Sequence, residues 1–168
     1  QDHRTMLIQF FYGLFGSIIG GVAFGPINLS VVELTIKKNL PSANRFCLAA
    51  AIVEVGQAFI AILFGKLISR KIDEFPEFKL LVILFFFILG LYFVLKRDKP
   101  KSELNTTGER SSFLNGIIVA VLNPQSIPYW IFVLAYLKSA NVLELYSIKL
   151  WLFLIGIAIG KYTILVIY

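Results

Sequence analysis

Two long uncharged runs, TMLIQFFYGLFGSIIGGVAFGPINLSVV at Thr5–Val32 and SSFLNGIIVAVLNPQSIPYWIFVLAYL at Ser111–Leu137, decide how this chain folds. Each is longer than the roughly 20 helical residues that cross about 30 Å of hydrocarbon. Each is also punctuated well inside its length. The first carries Gly25-Pro26-Ile27-Asn28, and the second carries Asn123-Pro124-Gln125-Ser126-Ile127-Pro128. A proline within a helix removes one backbone donor and clashes with the carbonyl four residues back, so both sites are predicted to kink or break their helices. Lipid offers nothing to the carbonyls so released. They are expected to face protein or a wet cavity, where Asn28, Asn123 and Gln125 can hydrogen-bond.

Three further apolar runs lie around these two. Phe46–Phe64 is interrupted only by Glu54, Leu80–Leu95 is rich in Phe, and Leu150–Tyr168 contains Lys161. None alternates polar with apolar residues as a barrel strand must, so the reading is an all-α, polytopic membrane protein with five spans. Composition agrees: 168 residues, 58% apolar, 15% charged and a mean hydropathy of +0.80 exclude an ordinary soluble domain. Cys47 stands alone and His3 is the single histidine, so neither a disulfide framework nor a metal cluster is on offer, and no cofactor or metal is expected. The net charge of +6 does not point to nucleic acid, because the basic residues gather where apolar runs end. The first run is too long for a cleavable signal sequence and lacks its small-residue site; residues 1–5 are set aside. The densest basic cluster, Lys96 to Lys101, sits close to a span end, whereas Lys66 to Lys79 is interspersed with Asp73, Glu74 and Glu77. That asymmetry favours an N-terminus outside.

The two breaks occupy matching places, Pro26 in the run that opens the first half and Pro124 in the run that opens the second. This is the pattern of a transporter made of two repeats with its site at broken helices, here a first repeat of about 5–95, a loop of 96–112 and a second repeat of 113–168 within one transmembrane domain. Two independent proline kinks are the alternative. Glu54 and Gln57 lie three apart and share a helix face. A mid-bilayer carboxylate costs about 2.5–3.5 kcal/mol on insertion scales and usually lines an ion or substrate path; the competing reading is a protonated Glu54 bonded to a neighbouring helix as structural glue. Lys161 is either deep in its span or snorkelling to the nearer boundary. Glu33 and Lys37 read as a surface i,i+4 pair. Gly16/Gly20, Gly21/Gly25 and Gly156/Gly160 have the small-xxx-small spacing of close helix contact, which also permits a homo-oligomer. Tyr12, Tyr92 and Trp151 read as interfacial anchors, while Tyr129 and Trp130 are candidates to line a cavity.

With those residues in view, the stretch from Gly20 to Gly65, holding Gly25-Pro26-x-Asn28, a short basic turn and an Ala/Gly-rich second span, resembles the LysE-type amino-acid exporter (LysE/RhtB translocator) family. Phe113-Leu114-Asn115-Gly116 followed by Leu122-Asn123-Pro124-Gln125 resembles the opening of that family's second half. The resemblance implies an inverted arrangement of three plus three helices and a bacterial inner-membrane secondary transporter that exports amino acids or similar small polar solutes. Where that family commonly has Lys after Asn-Pro, this chain has Gln125, and it reaches Tyr168 within its fifth span, so the sixth helix is expected to be missing. The expected substrate or ion pathway comprises Pro26, Asn28, Glu54, Gln57, Asn123, Pro124 and Gln125, with a protonatable Glu54 fitting proton antiport. The expected partners are the lipid bilayer and a small-molecule substrate. A membrane scaffold is the alternative; an intramembrane thiol or metal enzyme is disfavoured by the solitary Cys47 and His3.

Overall fold

The computed structural model describes residues 2–22, 25–74, 80, 83–84, 87–88, 91, 109–123, 125–144 and 148–168. The elements among them are all helical: α1 (Asp2–Val22), α2 (Pro26–Lys37), α3 (Leu40–Glu74), α4 (Glu109–Val121), α5 (Ser126–Ser139) and α6 (Ile148–Ile167). Three segments are long and apolar enough to cross a membrane, namely His3–Val22, Leu40–Gly65 and Ile148–Ile167, and the α4–α5 pair passes the same test as one span bent by 61°. The expected span Leu80–Leu95 falls mostly outside the described residues, and so does the 96–108 part of the loop. The count of five spans and the matching of 5–95 to 113–168 are therefore not contained in what is described.

The first long run is two helices. Gly25 is extended (φ −140°, ψ 178°) and caps α2, so Pro26 falls in the first turn, where its missing N–H would have had no intrahelical partner. Proline here starts a helix instead of kinking one. Pro128 is likewise the third residue of α5, again within the first turn. The second span differs from its expected limits of Phe46–Phe64. α3 extends far beyond the apolar stretch at both ends, because hydropathy marks where lipid stops and not where the helix stops. Asn39 sets its start, accepting the Ser42 N–H on Oδ1 at 2.9 Å in the manner of an N-cap.

α3 lies at the centre and touches α2, α4, α5 and α6, while α1 packs chiefly on α6. The α1–α6 contact needs glycine. A Cβ on Gly13 would sit 2.1 Å from the Phe153 carbonyl oxygen, one on Gly156 would sit 2.2 Å from that of Phe10, and one on Gly160 would sit 2.4 Å from that of Leu14. Gly156/Gly160 thus forms the expected close-approach face, but its partner is Gly13. Gly16 and Gly20 instead leave room for the rings of Trp130 and Tyr129. Large apolar side chains point outward along α1 (Leu7, Phe11, Phe15, Ile19), α3 (Leu48, Ile52, Leu63) and α6 (Trp151, Ile155, Ile159), whereas Gln9, Ser17, Asn28, Glu54, Gln57 and Lys161 are buried. That arrangement is stable only in a solvent as apolar as lipid.

Candidate functional site

The buried apolar residues form two clusters, one built on Ile27, Val31, Leu34, Phe46, Ala50, Ala120 and Leu165, the other on Ala58, Ala61, Trp130, Leu134, Phe153 and Ile157. A polar layer separates them. Along α3 the first cluster ends at Ala50 and the second begins at Ala58, with Glu54 and Gln57 between. Along α6, Lys161 falls between Ile157 and Ile164. Between α4 and α5, Leu122, Asn123 and Gln125 fall between Ala120 and Trp130. Both helix breaks open at this layer. α1 runs from Tyr12, beside the second cluster, to Ile18, beside the first, where α2 continues; α4 comes from the first cluster and α5 enters the second. The two broken segments therefore cross the layer in opposite directions.

At its centre is an ion pair. Lys161 Nζ lies 2.7 Å from Glu54 Oε2, with side chains 7% and 5% exposed. Ser17 donates its hydroxyl to the other carboxylate oxygen, Oε1, at 3.0 Å. Three helices, α1, α3 and α6, thus meet at one carboxylate. Lys161 does not snorkel: its stem points into the bundle, because Glu54 offers a charge partner that no lipid boundary could improve on. Glu54 accordingly meets the Lys161 side-chain nitrogen and the Ser17 hydroxyl, contacts that tie α3 to both neighbouring helices.

Beside the pair is a cavity of about 140 Å³, lined among the described residues by both ends of the breaks: Gly25, Ile27 and Asn28 from the start of α2, and Asn123, Gln125 and Ser126 from the start of α5. Glu54, Lys161, Tyr129 and Trp130 complete most of the wall. Two helix N-termini consequently open onto one space, each presenting backbone N–H groups and the positive end of a helix dipole. The carbonyls released by the first break are met from several directions. Asn28 Nδ2 donates to Gly21 O at 2.9 Å, and the Tyr168 hydroxyl donates to Val22 O at 2.8 Å. Farther back within α1, the Tyr129 hydroxyl donates to Gly16 O. Asn123 holds the second break, donating from Nδ2 to Ser126 Oγ at 3.1 Å and accepting the Gln125 N–H at 3.3 Å.

Of the residues expected in the pathway, Asn28, Glu54, Asn123 and Gln125 come together around the cavity. Pro26 stands at the start of α2 without being part of that lining, its neighbours Gly25 and Ile27 being so instead. Pro124 lies outside the described residues. Gln57 is buried but does not line the cavity; its Nε2 donates to Ala120 O at 2.9 Å, tying α3 to the last turn of α4. Lys161, Ser17 and Ser126 were not singled out as pathway residues by sequence. The depth of Lys161 in an apolar run was the signal for it, but its partner lies on another helix. Trp130 and Tyr129 line the cavity, and Tyr12 packs against the second apolar cluster. Cys47 is buried in the first cluster, away from the polar layer.

The profile of the LysE type translocator family matches residues 18–167. No curated protein and no solved structure matches the chain significantly.

Proposed function

Because the chain belongs to the LysE type translocator family, whose members are membrane transporters, we propose that it is a secondary transporter exporting amino acids or similar small polar solutes across a bacterial inner membrane by proton antiport. The observation that carries the reading is the cavity where two oppositely directed broken helices meet beside a buried Glu54–Lys161 pair. Broken helices put unsatisfied backbone at membrane depth, which is tolerated only against protein or a solute path. The opposite directions of α1–α2 and α4–α5 through the polar layer support an inverted repeat, the plan in which one half rocks against the other around a fixed site.

Glu54 carries the proton step in this reading. In its ionised form it locks α3 to α6 through Lys161 and to α1 through Ser17. Protonation removes the attraction for Lys161 and frees the three helices to move relative to one another. A proton taken up from one side and lost to the other would then drive solute the opposite way. The dense basic cluster Lys96–Lys101 near a span end supports an N-terminus outside.

The test is solute flux in proteoliposomes across a panel of amino acids, with and without an imposed pH gradient. An inward proton gradient is expected to accelerate export. Glu54→Gln, which keeps the shape and a hydrogen bond but cannot titrate, is expected to retain solute exchange and to lose the gradient-driven component. Equal gradient-driven flux in Glu54→Gln would remove Glu54 from coupling, and absence of flux for every solute would overturn the transport reading itself.

A further inference from the structure

We propose that the seam between α1 and α5 is the gate of the cavity on the side of the second apolar cluster, and that Tyr129 is its latch. Parting the two helices there opens a solute path from the polar layer toward the N-terminal end of α1, the outer side in the orientation proposed above. The proposal rests on the transport reading and gives that path its moving parts.

The course of the seam follows from its contacts. Tyr129 lies against Gly20, and Trp130 and Val133 lie against Gly16. Farther on, Gln9 Nε2 donates to Val142 O at 2.8 Å, just past the end of α5. Positions that fall along α1 rise along α5, so the two helices run antiparallel. From Gly20 to Gln9 is 11 positions, roughly 16 Å of helix and about half of the 30 Å that hydrocarbon spans. The seam thus leads away from the cavity, where Gly20, Tyr129 and Trp130 are part of the wall, toward one membrane face.

What lets this seam part is the kind of atom on either side of it. Between α1 and α6 the glycines meet backbone: a Cβ on Gly13 would lie 2.1 Å from the Phe153 carbonyl oxygen. Toward α5 the nearest atoms belong to side chains, the Tyr129 ring at 2.5 Å from a Cβ on Gly20 and the Trp130 ring at 3.4 Å from one on Gly16. Side chains can change rotamer where a packed helix backbone cannot move aside. Trp130 is fully buried and braced edge-on by Phe153 at 80°. Tyr129 is half-buried and is therefore the ring that can turn. Its hydroxyl, donating to Gly16 O, is the bond that keeps it in place.

Two buried polar atoms mark the closed seam as one of two states. Gln9 Oε1 on α1 and Trp130 Nε1 on α5 have no hydrogen-bond partner among the described residues, which are 2% and 0% exposed at these positions. Buried polar groups normally find a partner, and one left without costs free energy. Water admitted along the parted seam supplies an acceptor to the indole and a donor to the amide oxygen. The closed arrangement therefore carries a penalty that opening removes. Against it stand the Tyr129 bond to Gly16 and the apolar packing of Tyr12 and Val133 on the second cluster. Packed contacts of this kind switch between discrete arrangements and do not deform continuously.

The experiment reads access to the seam as the rate at which a charged methanethiosulfonate modifies Val133→Cys. The chain is held in lipid nanodiscs, where both faces meet the reagent, and carries Cys47→Ala to remove its own thiol. Ile155→Cys, on the lipid face of α6, reports general loosening. Tyr129→Phe keeps the ring and deletes the latch bond. It is expected to speed modification of Val133→Cys by about fivefold, as loss of one hydrogen bond that holds the closed state does, and to leave Ile155→Cys unchanged. Gly20→Ala, whose methyl must displace the Tyr129 ring, is expected to do the same by an independent route. An unchanged Val133→Cys rate in Tyr129→Phe would overturn the proposal, as would an equal rise at Ile155→Cys. If Gly20→Ala fails to fold, Tyr129→Phe decides alone. Solute flux in liposomes with no change in labelling would sink the gate and leave the transport reading standing, whereas no flux for any solute would sink both.

Discussion

Removing Lys161 should be among the most damaging single changes this bundle can suffer. The ammonium and carboxylate are 2.7 Å apart with both side chains almost fully buried, and at an effective dielectric of about 20 that separation corresponds to roughly 6 kcal/mol of bare attraction. Desolvation of the two charges offsets part of it. Deleting one partner is nevertheless expected to cost about 3–5 kcal/mol, because it leaves the other charge buried and unpaired. Lys161→Met, a change of similar length, should therefore shift the unfolding equilibrium in mixed micelles by roughly 10²- to 10⁴-fold. Glu54→Gln should be somewhat milder, since its one amide oxygen can still accept from Ser17 or Lys161, though it cannot balance the Lys161 charge. The double replacement Glu54→Gln/Lys161→Met should recover most of the loss, because nothing charged then remains in the polar layer. A double-mutant cycle read by equilibrium unfolding distinguishes the possibilities. If Lys161→Met costs under about 0.5 kcal/mol, or the double mutant costs the sum of the singles, the side chain is snorkelling to an interface and the pair does not hold the bundle.

The α1–α6 contact gives a second test: Gly156→Ala would place a methyl 2.2 Å from the Phe10 carbonyl oxygen, and overpacking of this kind should cost about 1–3 kcal/mol or more. Gly56→Ala, where nothing lies within 4 Å, should be tolerated in the same thermal-unfolding assay, so equal effects would discount the contact. Asn28→Leu strands Gly21 O and Gln57→Leu strands Ala120 O, each expected to cost about 1–3 kcal/mol; the Asn28 change should also depress transport, since Asn28 lines the cavity, while the Gln57 change should act on stability alone. Cys47, 1% exposed, should resist a membrane-permeant maleimide in the folded protein and react once detergent unfolds it.

The helix breaks were legible because Gly-Pro and Asn-Pro are local signals: Pro fixes its own φ and removes its own donor, whatever the rest of the chain does. What they do was less legible. Pro26 and Pro128 begin helices, a distinction that depends on whether the preceding residues leave the helical conformation, and Gly25 does so by becoming extended. The inward burial of Glu54 and Gln57 followed from the cost of exposing either to lipid. Their separation into one cavity residue and one tie to α4 did not, because three positions on a helix differ by 60° in azimuth and that angle is set by neighbouring helices. Lys161 shows the same limit. Its sequence position gives a depth, and its partner is 107 positions earlier, at a contact that exists only once α3 and α6 are side by side.

The ion pair also bears on how the chain is assembled during synthesis. Glu54 is made well before Lys161, and the 94 positions from Glu54 to Ile148, where α6 begins, take roughly 5–20 s to translate at 5–20 residues per second. Throughout that interval α3 sits at the membrane with a carboxylate and no ammonium to meet it. α1 waits as well, because the surface that Gly13 and Gly21 are shaped for belongs to α6. When α6 emerges it brings a lysine that costs about 2.5–3.5 kcal/mol to place in the bilayer centre alone, and docking beside α3 cancels both liabilities in one event. Delivery of α6 is thus a natural checkpoint: a nascent chain arrested before it would keep an unpaired charge in the membrane, the kind of defect that membrane quality-control proteases can recognise.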